Sequence, residues 1–254
     1  MPDHAALIDE IRAVALNAGA AILEVYAQDF AIERKSDASP VTQADHLAEA
    51  IIVATLHRIT PGVAVVAEEL AEAGGLPETA PERFWLVDPL DGTKEFIARN
   101  GEFTVNIALV ENRRPVLGVV HAPALDVTYW AAGGHAFRRR GSSAATPIAA
   151  RPVPKEGAVC LHSRSHADET QLAAYLATLP KAQRRVSGSS IKFCLLAAGE
   201  GDLYPRFGPT MEWDTAAGQA VLEAAGGRVT TRDGAPFLYG KPGFRNSDFI
   251  ARGR

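Results

Sequence analysis

A chain of 254 residues with 47% apolar and 22% charged side chains can bury a real hydrophobic core, so neither a disulfide framework nor a structural metal is needed to fold it. Its net charge of −4 argues against a nucleic-acid polymer as partner, which calls for a basic footprint, but not against a small anionic substrate, because bound cations invert a local field. Cys160 and Cys194 stand far apart without a CxxC pair, which points to reduced thiols in a cytosolic core.

The opening MPDHAALIDE lacks a basic n-region and no run of about 18 apolar residues follows, so neither a secretory leader nor a membrane span is expected. The expected location is the cytoplasm, with peripheral attachment at the inner membrane left open. Pro2-Asp3 opens a helical pattern in which Leu7, Ile11, Val14, Ala18, Ile22 and Val25 share a face. A second helix begins near Thr42 and runs through Leu47, Ile51 and Ala54 until Thr60-Pro61-Gly62. Strands follow at 63–67, 84–87, 103–110, 116–121, 127–132 and 136–138, with turns at Asn112-Arg113 and Gly133-Gly134. Two helices and then adjacent strands predict an antiparallel sheet with helices on one face.

The stretch 141–154, GSSAATPIAARPVP, is the best boundary, dividing the chain into an N-terminal α+β half, 1–145, and a C-terminal α/β half, 146–254. Beyond it the pattern alternates. A strand is expected at 158–161, a helix through Leu172, Leu176 and Leu179, a helix at 190–198, a strand at 202–207, a helix at 214–225, and a last strand after Gly226-Gly227. A ligand site is expected in the cleft between the halves.

The chemistry concentrates in acidic residues at element ends. One apolar strand finishes in Glu68-Glu69 and another in Asp88-Pro89-Leu90-Asp91-Gly92-Thr93. If these strands pair, Glu68 and Asp88 stand side by side, and like charges held together call for a cation. All-oxygen donors favour a hard ion such as Mg²⁺. Each piece also has a plain structural role. Asp91-Gly92 makes a hairpin turn, Glu68-Glu69 a solvated strand end, Asp214 an N-cap, and Asp45 follows Thr42 by three residues as in a capping box. Gly188-Ser189-Ser190 can likewise cap the following helix. No HExxH, Walker loop, GxGxxG or GxSxG occurs; His162/His166 and Arg138-Arg139-Arg140 read as a chance spacing and a solvated turn.

Taken together, Asp45, Glu68-Glu69, Asp88-Pro-Leu-Asp91-Gly-Thr93 and Trp213-Asp214-Thr-Ala-Ala217 resemble the lithium-sensitive inositol monophosphatase superfamily along nearly the whole chain. Within it, WLVDPLDGTKEFIARNGEFTVNIALV and GSSIKFCLLAAGEGDLYPRFGPTMEWDTAAG are similar to the 3′(2′),5′-bisphosphate nucleotidases, which remove the 3′-phosphate of 3′-phosphoadenosine 5′-phosphate to give AMP. The resemblance implies an α+β fold layered as an α-β-α-β-α sandwich. It implies one Mg²⁺ on Glu68, Asp88 and the Leu90 carbonyl and a second on Asp88, Asp91 and Asp214, and it allows a third, weaker ion near Glu68. Thr93, paired with Asp45 and assisted by Glu68, would orient and help deprotonate the attacking water. Such hydrolysis is accelerated by up to about 10²¹, of which side-chain acid–base work supplies only about 10²–10⁴, so metals carry most of the remainder.

The substrate contacts implied are Glu68, Leu90, Asp91, Gly92, Thr93 and Asp214 around the reacting phosphate, with Gly92-Thr93 opening a helix at 94–99 whose amides meet it. Gly188, Ser189 and Ser190 would face sugar or phosphate oxygens. Lys192 and Arg206 would take the second phosphate, and His162-Ser163-Arg164 would lie near the nucleotide. A monomer is expected, with a homodimer as the alternative. A general inositol or sugar phosphatase and a non-catalytic phosphate-binding protein are the competing readings.

Overall fold

The computed structural model describes residues 4–34, 40–164, 168–179 and 181–254. Pro2-Asp3 and His166 lie outside the described residues. Helix α1 (His4–Tyr26) is followed by a short hairpin, β1 (Glu33–Arg34) and β2 (Pro40–Val41), and by α2 (Gln43–Ile59). Strands β3 (Ala64–Ala67), β4 (Arg83–Asp91), β5 (Thr104–Glu111), β6 (Arg114–Ala122), β7 (Val127–Ala132), β8 (His135–Arg140) and β9 (Thr146–Pro147) form one sheet in that order. Two single-turn helices interrupt it, α3 (Glu68–Glu72) and α4 (Thr93–Ile97). Only β3 and β4 run parallel; the other neighbours are antiparallel.

On α1, Leu7, Ile11, Val14, Ala18 and Ile22 are buried as their spacing predicts. The buried face of α2 is not the predicted one: Ala44, Ala48, Ile52 and Leu56 are fully buried, and Leu47 is 40% exposed. The small alanines let α2 lie close to α1, and the carboxylates of Asp45 and Glu49 are buried beside them because each finds hydrogen-bond donors there. Arg138–Arg140, expected in a solvated turn, are part of strand β8, where Arg138 meets Glu200 at 2.6 Å.

The remaining elements are β10 (Val159–His162), α5 (Glu169–Leu176), β11 (Gln183–Val186), α6 (Ile191–Ala197), β12 (Leu203–Arg206), α7 (Ala216–Ala224), β13 (Arg228–Thr231) and β14 (Phe249–Arg252). Their strands form a second, mixed sheet in the order β11-β10-β12-β14-β13. Two of them, β11 and β14, were not legible in advance. Gln-Arg-Arg-Val is a polar, exposed edge strand, and β14 lies between β12 and β13 although it comes last in the chain. Helices α1 and α2 cover one face of the large sheet, and α6 and α7 fill the space between its other face and the small sheet. Helix α5 covers the small sheet's outer face through Leu172, against Cys160 and Leu203. The result is five layers, α-β-α-β-α.

Gly118 on β6 sets how closely α7 lies on the large sheet. A Cβ there would meet the Ala217 carbonyl oxygen at 2.6 Å and the Ala220 Cβ at 2.8 Å. We expect Gly118→Ala to lower the urea midpoint by the equivalent of about 1–3 kcal/mol with an unchanged m-value; an unaltered midpoint would show that α7 yields freely.

Candidate active site

Residue by residue, β3 and β4 pair from Ala64↔Phe84 to Ala67↔Val87, so the next step along each chain brings Glu68 beside Asp88. The β4–β5 ladder continues through Asp88↔Asn106, bulges, and resumes at Asp91↔Thr104. Within that bulge the Leu90 N–H donates to Asp88 Oδ1 at 3.0 Å. Gly92 follows at φ +94, and a side chain there would crowd the Glu102 carbonyl oxygen at 3.2 Å and Ser189 Cβ at 3.3 Å. Both the left-handed backbone and the tight contact require glycine. The helix expected at 94–99 is the single turn α4.

Thr93 Oγ1 lies 3.4 Å from Asp45 Oδ1 and 3.3 Å from the Leu90 carbonyl oxygen. The other oxygen of Asp45 accepts from the Thr42 N–H at 2.9 Å and the Thr42 hydroxyl at 2.8 Å, closing the capping box of α2. One carboxylate therefore starts a helix and anchors Thr93. Asp214, by contrast, does not cap α7, whose N-cap is Thr215 without a side-chain bond. Its Oδ2 accepts the Met211 N–H at 2.8 Å, which fixes the turn before the helix.

The Gly188–Ser190 loop closes over this site. Gly188 N–H donates to Glu102 Oε2 at 2.9 Å, and the Ser190 N–H donates to Asp91 Oδ2. The Ser190 hydroxyl, expected to face substrate, is instead buried, donating to Asn106 Oδ1 at 2.7 Å and lying 2.9 Å from Thr104 Oγ1. Lys192 is 2% exposed, and its ammonium donates to the Ser187 and Ser189 carbonyls. Burial pushes its pKa down to about 8 against the pull of Asp91. Arg206 donates to Ser163 Oγ at 3.1 Å and to the Pro209 carbonyl at 2.9 Å. Of the neighbouring trio, Ser163 lines the cleft, His162 is buried on β10, and Arg164 pairs with Glu102 at 2.8 Å.

These groups surround one cleft of about 480 Å³. Glu68, Asp88, Leu90, Asp91, Gly92, Thr93, Gly188, Ser189, Ser190, Lys192, Arg206 and Asp214 all line it, with Asp45 behind Thr93. Among the described residues, no three acidic, histidine or cysteine side chains draw close enough to make a closed metal cage. Burial first, and then the nearby Glu95 and Glu68, raise Asp91 to about 6 despite Lys192 and the Ser190 amide. Asp214 is raised by burial, by Asp91 and by Glu68. Carboxylates gathered in this way raise one another's pKa, and positive charge placed among them would reverse that.

A protein-family model described as the inositol monophosphatase family matches residues 3–251. The chain belongs to the inositol monophosphatase family. The 3′(2′),5′-bisphosphate nucleotidase CysQ of Salmonella typhimurium is 47% identical to it over 249 residues, 94% of this chain and 98% of that protein. The protein of the same name from Escherichia coli strain K12 is 47% identical over 251 residues, 95% and 99% of the two chains. Among solved structures, CysQ from Bacteroides thetaiotaomicron superposes with a TM-score of 0.79 at 37% identity, covering 97% of this chain and 96% of that one. A Thermotoga maritima IMPase does so with a TM-score of 0.77 at 27% identity, covering 95% and 89%. Phosphatases of this family are magnesium-dependent in general. The donor set here fits such an ion: hard carboxylate and carbonyl oxygens, with two carboxyls whose raised pKa a divalent cation would lower.

Several residues that build the site were not singled out from the sequence, among them Glu49, Thr104, Asn106, Glu95 and Arg245. Glu49 accepts the Glu69 N–H at 2.8 Å and the Leu70 N–H at 3.0 Å, holding the start of α3 at Glu68. It follows Asp45 by four residues on α2, a spacing that was there to be read. Thr104 and Asn106 alternate on β5 opposite Asp91 and Asp88, polar positions in a strand that is apolar at 105 and from Ile107 to Val110. Glu95 and Arg245 line the cleft without any local sequence signal.

The raised pKa of Asp91 makes a stability prediction for metal-free protein. A carboxyl whose folded pKa exceeds its ordinary value of 3.8 contributes stability that is complete below about pH 4 and lost as pH rises through about 6. Asp91→Asn removes that penalty. In chelator at pH 7.5 the variant should be more stable than the parent by about 1–3 kcal/mol, with a shallower loss of stability between pH 4 and 7. Equal melting curves for the two proteins across that range would contradict this electrostatic account.

Proposed function

We propose that this protein is a magnesium-dependent 3′(2′),5′-bisphosphate nucleotidase that hydrolyses 3′-phosphoadenosine 5′-phosphate to AMP and phosphate. One observation carries the reading: a chain 47% identical to CysQ nucleotidases along almost its whole length gathers Glu68, Asp88, Asp91, Thr93 and Asp214 around one cleft, with Asp45 behind Thr93. Glu68, Asp88, Asp91, Asp214 and the Leu90 carbonyl would hold two Mg²⁺ ions, with a weaker third near Glu68 as an extension of the same reading. When bound, the ions supply an activated water and neutralise charge on the phosphoryl and leaving oxygens.

The chain's own groups then do the positioning. Thr93 donates its hydroxyl proton toward Asp45 Oδ1, which turns its lone pairs to the water. Glu68 takes up the proton that the water releases. Water oxygen bonds to phosphorus as the bond to the ribose 3′-oxygen breaks; that oxygen takes a proton from solvent, to which Glu68 returns the one it accepted. The Asp45–Thr93 separation of 3.4 Å suits a bond that tightens once substrate is in place. Lys192 and Arg206 stay bound in the wall and set a positive potential opposite the carboxylates. We favour a monomer, with a homodimer as the alternative. Among the described residues no helix is long and apolar enough to cross a membrane, and we place the enzyme in the cytoplasm.

The decisive measurement is phosphate release with Mg²⁺ from 3′-phosphoadenosine 5′-phosphate, inositol 1-phosphate and fructose 1,6-bisphosphate in parallel. The nucleotide should be preferred strongly, and chelator should abolish release. Preference for inositol phosphate would move the enzyme to the other branch of its family. Turnover in Asp91→Asn should fall well beyond the 10–100-fold of changes outside the coordinating residues.

A further inference from the structure

A bisphosphorylated substrate brings a second phosphate that the metal-binding carboxylates repel. Of the four cations that line the cleft, Lys192 and Arg206 are buried with their charged ends on backbone carbonyls and Ser163. Lys94 is engaged in interactions of its own. The fourth, Arg245, is exposed, and its side chain makes no hydrogen bond or ion pair among the described residues. Its backbone is nevertheless held firmly. Arg245 forms an isolated antiparallel bridge with Met211, the residue whose N–H holds the Asp214 carboxylate at 2.8 Å. The neighbours lock the same crossing, with Glu212 N–H on the Phe244 carbonyl at 2.9 Å and Asn246 N–H on the Thr210 carbonyl at 2.9 Å. The Asn246 side chain adds bonds to the Met211 carbonyl at 2.6 Å and to Thr215 Oγ1 at 3.1 Å. A guanidinium with an unengaged fork, mounted on a hydrogen-bonded crossing in the wall of the cleft, is suited to bidentate capture of phosphate.

We propose that Arg245 binds the non-reacting phosphate and thereby sets the preference for bisphosphorylated over monophosphorylated nucleotides. This inference rests on the nucleotidase reading. The test compares wild type, Arg245→Ala and Arg245→Lys on adenosine 3′,5′-bisphosphate and on adenosine 3′-monophosphate, which lacks the second phosphate. Arg245→Ala should raise KM for the bisphosphate by about 10–100-fold, the loss expected of one charge-assisted contact. Its kcat should stay within about threefold and the monophosphate kinetics should not move, as befits a contact equal in ground and transition states. Arg245→Lys should fall between, because the charge remains but the fork is lost. Equal losses on both substrates, or no loss on either, would overturn the assignment while leaving the nucleotidase reading intact. A wild-type enzyme that favours neither compound would instead sink the nucleotidase reading itself, and this inference with it.

Discussion

The site depends on a repulsion that the fold maintains. Two parallel strands end side by side in Glu68 and Asp88, and a bulge and a helix turn add Asp91 and Asp214 to the same cleft. Charges of one sign this near one another, and this far from bulk water, oppose folding. The upward displacement of Asp91 and Asp214 expresses that opposition. A protein that only needed to fold would put apolar or neutral residues there. The strain is useful if a cation completes the arrangement, because binding the ion then relieves what folding built up. Metal affinity and native-state instability without metal are two aspects of one electrostatic fact.

What holds the carboxylates in place is mostly uncharged. Backbone N–H groups of Leu90, Ser190 and Met211 bond to Asp88, Asp91 and Asp214 respectively, each from a turn whose geometry the surrounding layers fix. Behind them, Thr104, Ser190 and Asn106 form a buried chain of side-chain contacts that joins β5 to the loop before α6. The two charged exceptions lie on α2, and both act as caps. Asp45 closes its own helix while reaching Thr93, and Glu49 starts α3 at Glu68. Ordinary helix-capping chemistry thus doubles as the means of aiming the reactive groups. Asking whether Asp45 is a cap or a catalytic partner poses a false choice, because its two oxygens do different things.

This doubling explains what could be read in advance. The β3–β4 pairing was legible because two apolar runs both ended in acids, and the Asp88–Thr93 segment because proline and glycine fix its turns. The face of α2 was not. Its buried side begins with alanines and capping acids and turns apolar only at Ile52 and Leu56, while the conspicuous Leu47 is partly exposed, so the first large apolar residue pointed to the wrong side. Strand β11 was hidden for the opposite reason, since an edge strand rich in arginine carries no apolar alternation. Side-chain direction was the least legible property. Ser190 and Lys192 were placed in the cleft correctly by position, yet their polar ends turn into the loop they support. Periodicity assigns a residue to a face; it does not say which neighbour takes its hydrogen bonds.

The same distinction separates the reaction from its selectivity. Groups that act on the scissile phosphate must hold their geometry while charge moves, so they sit on strand ends and turns fixed by backbone bonds. A group that only recognises the far end of the substrate can be long and mobile, provided its backbone is anchored. Lys192 is committed to loop carbonyls, and reaching further outward would break those contacts. Selectivity among phosphate esters on this scaffold should therefore follow the few exposed cations at the rim. The carboxylate arrangement beneath them can stay constant while the preferred substrate changes.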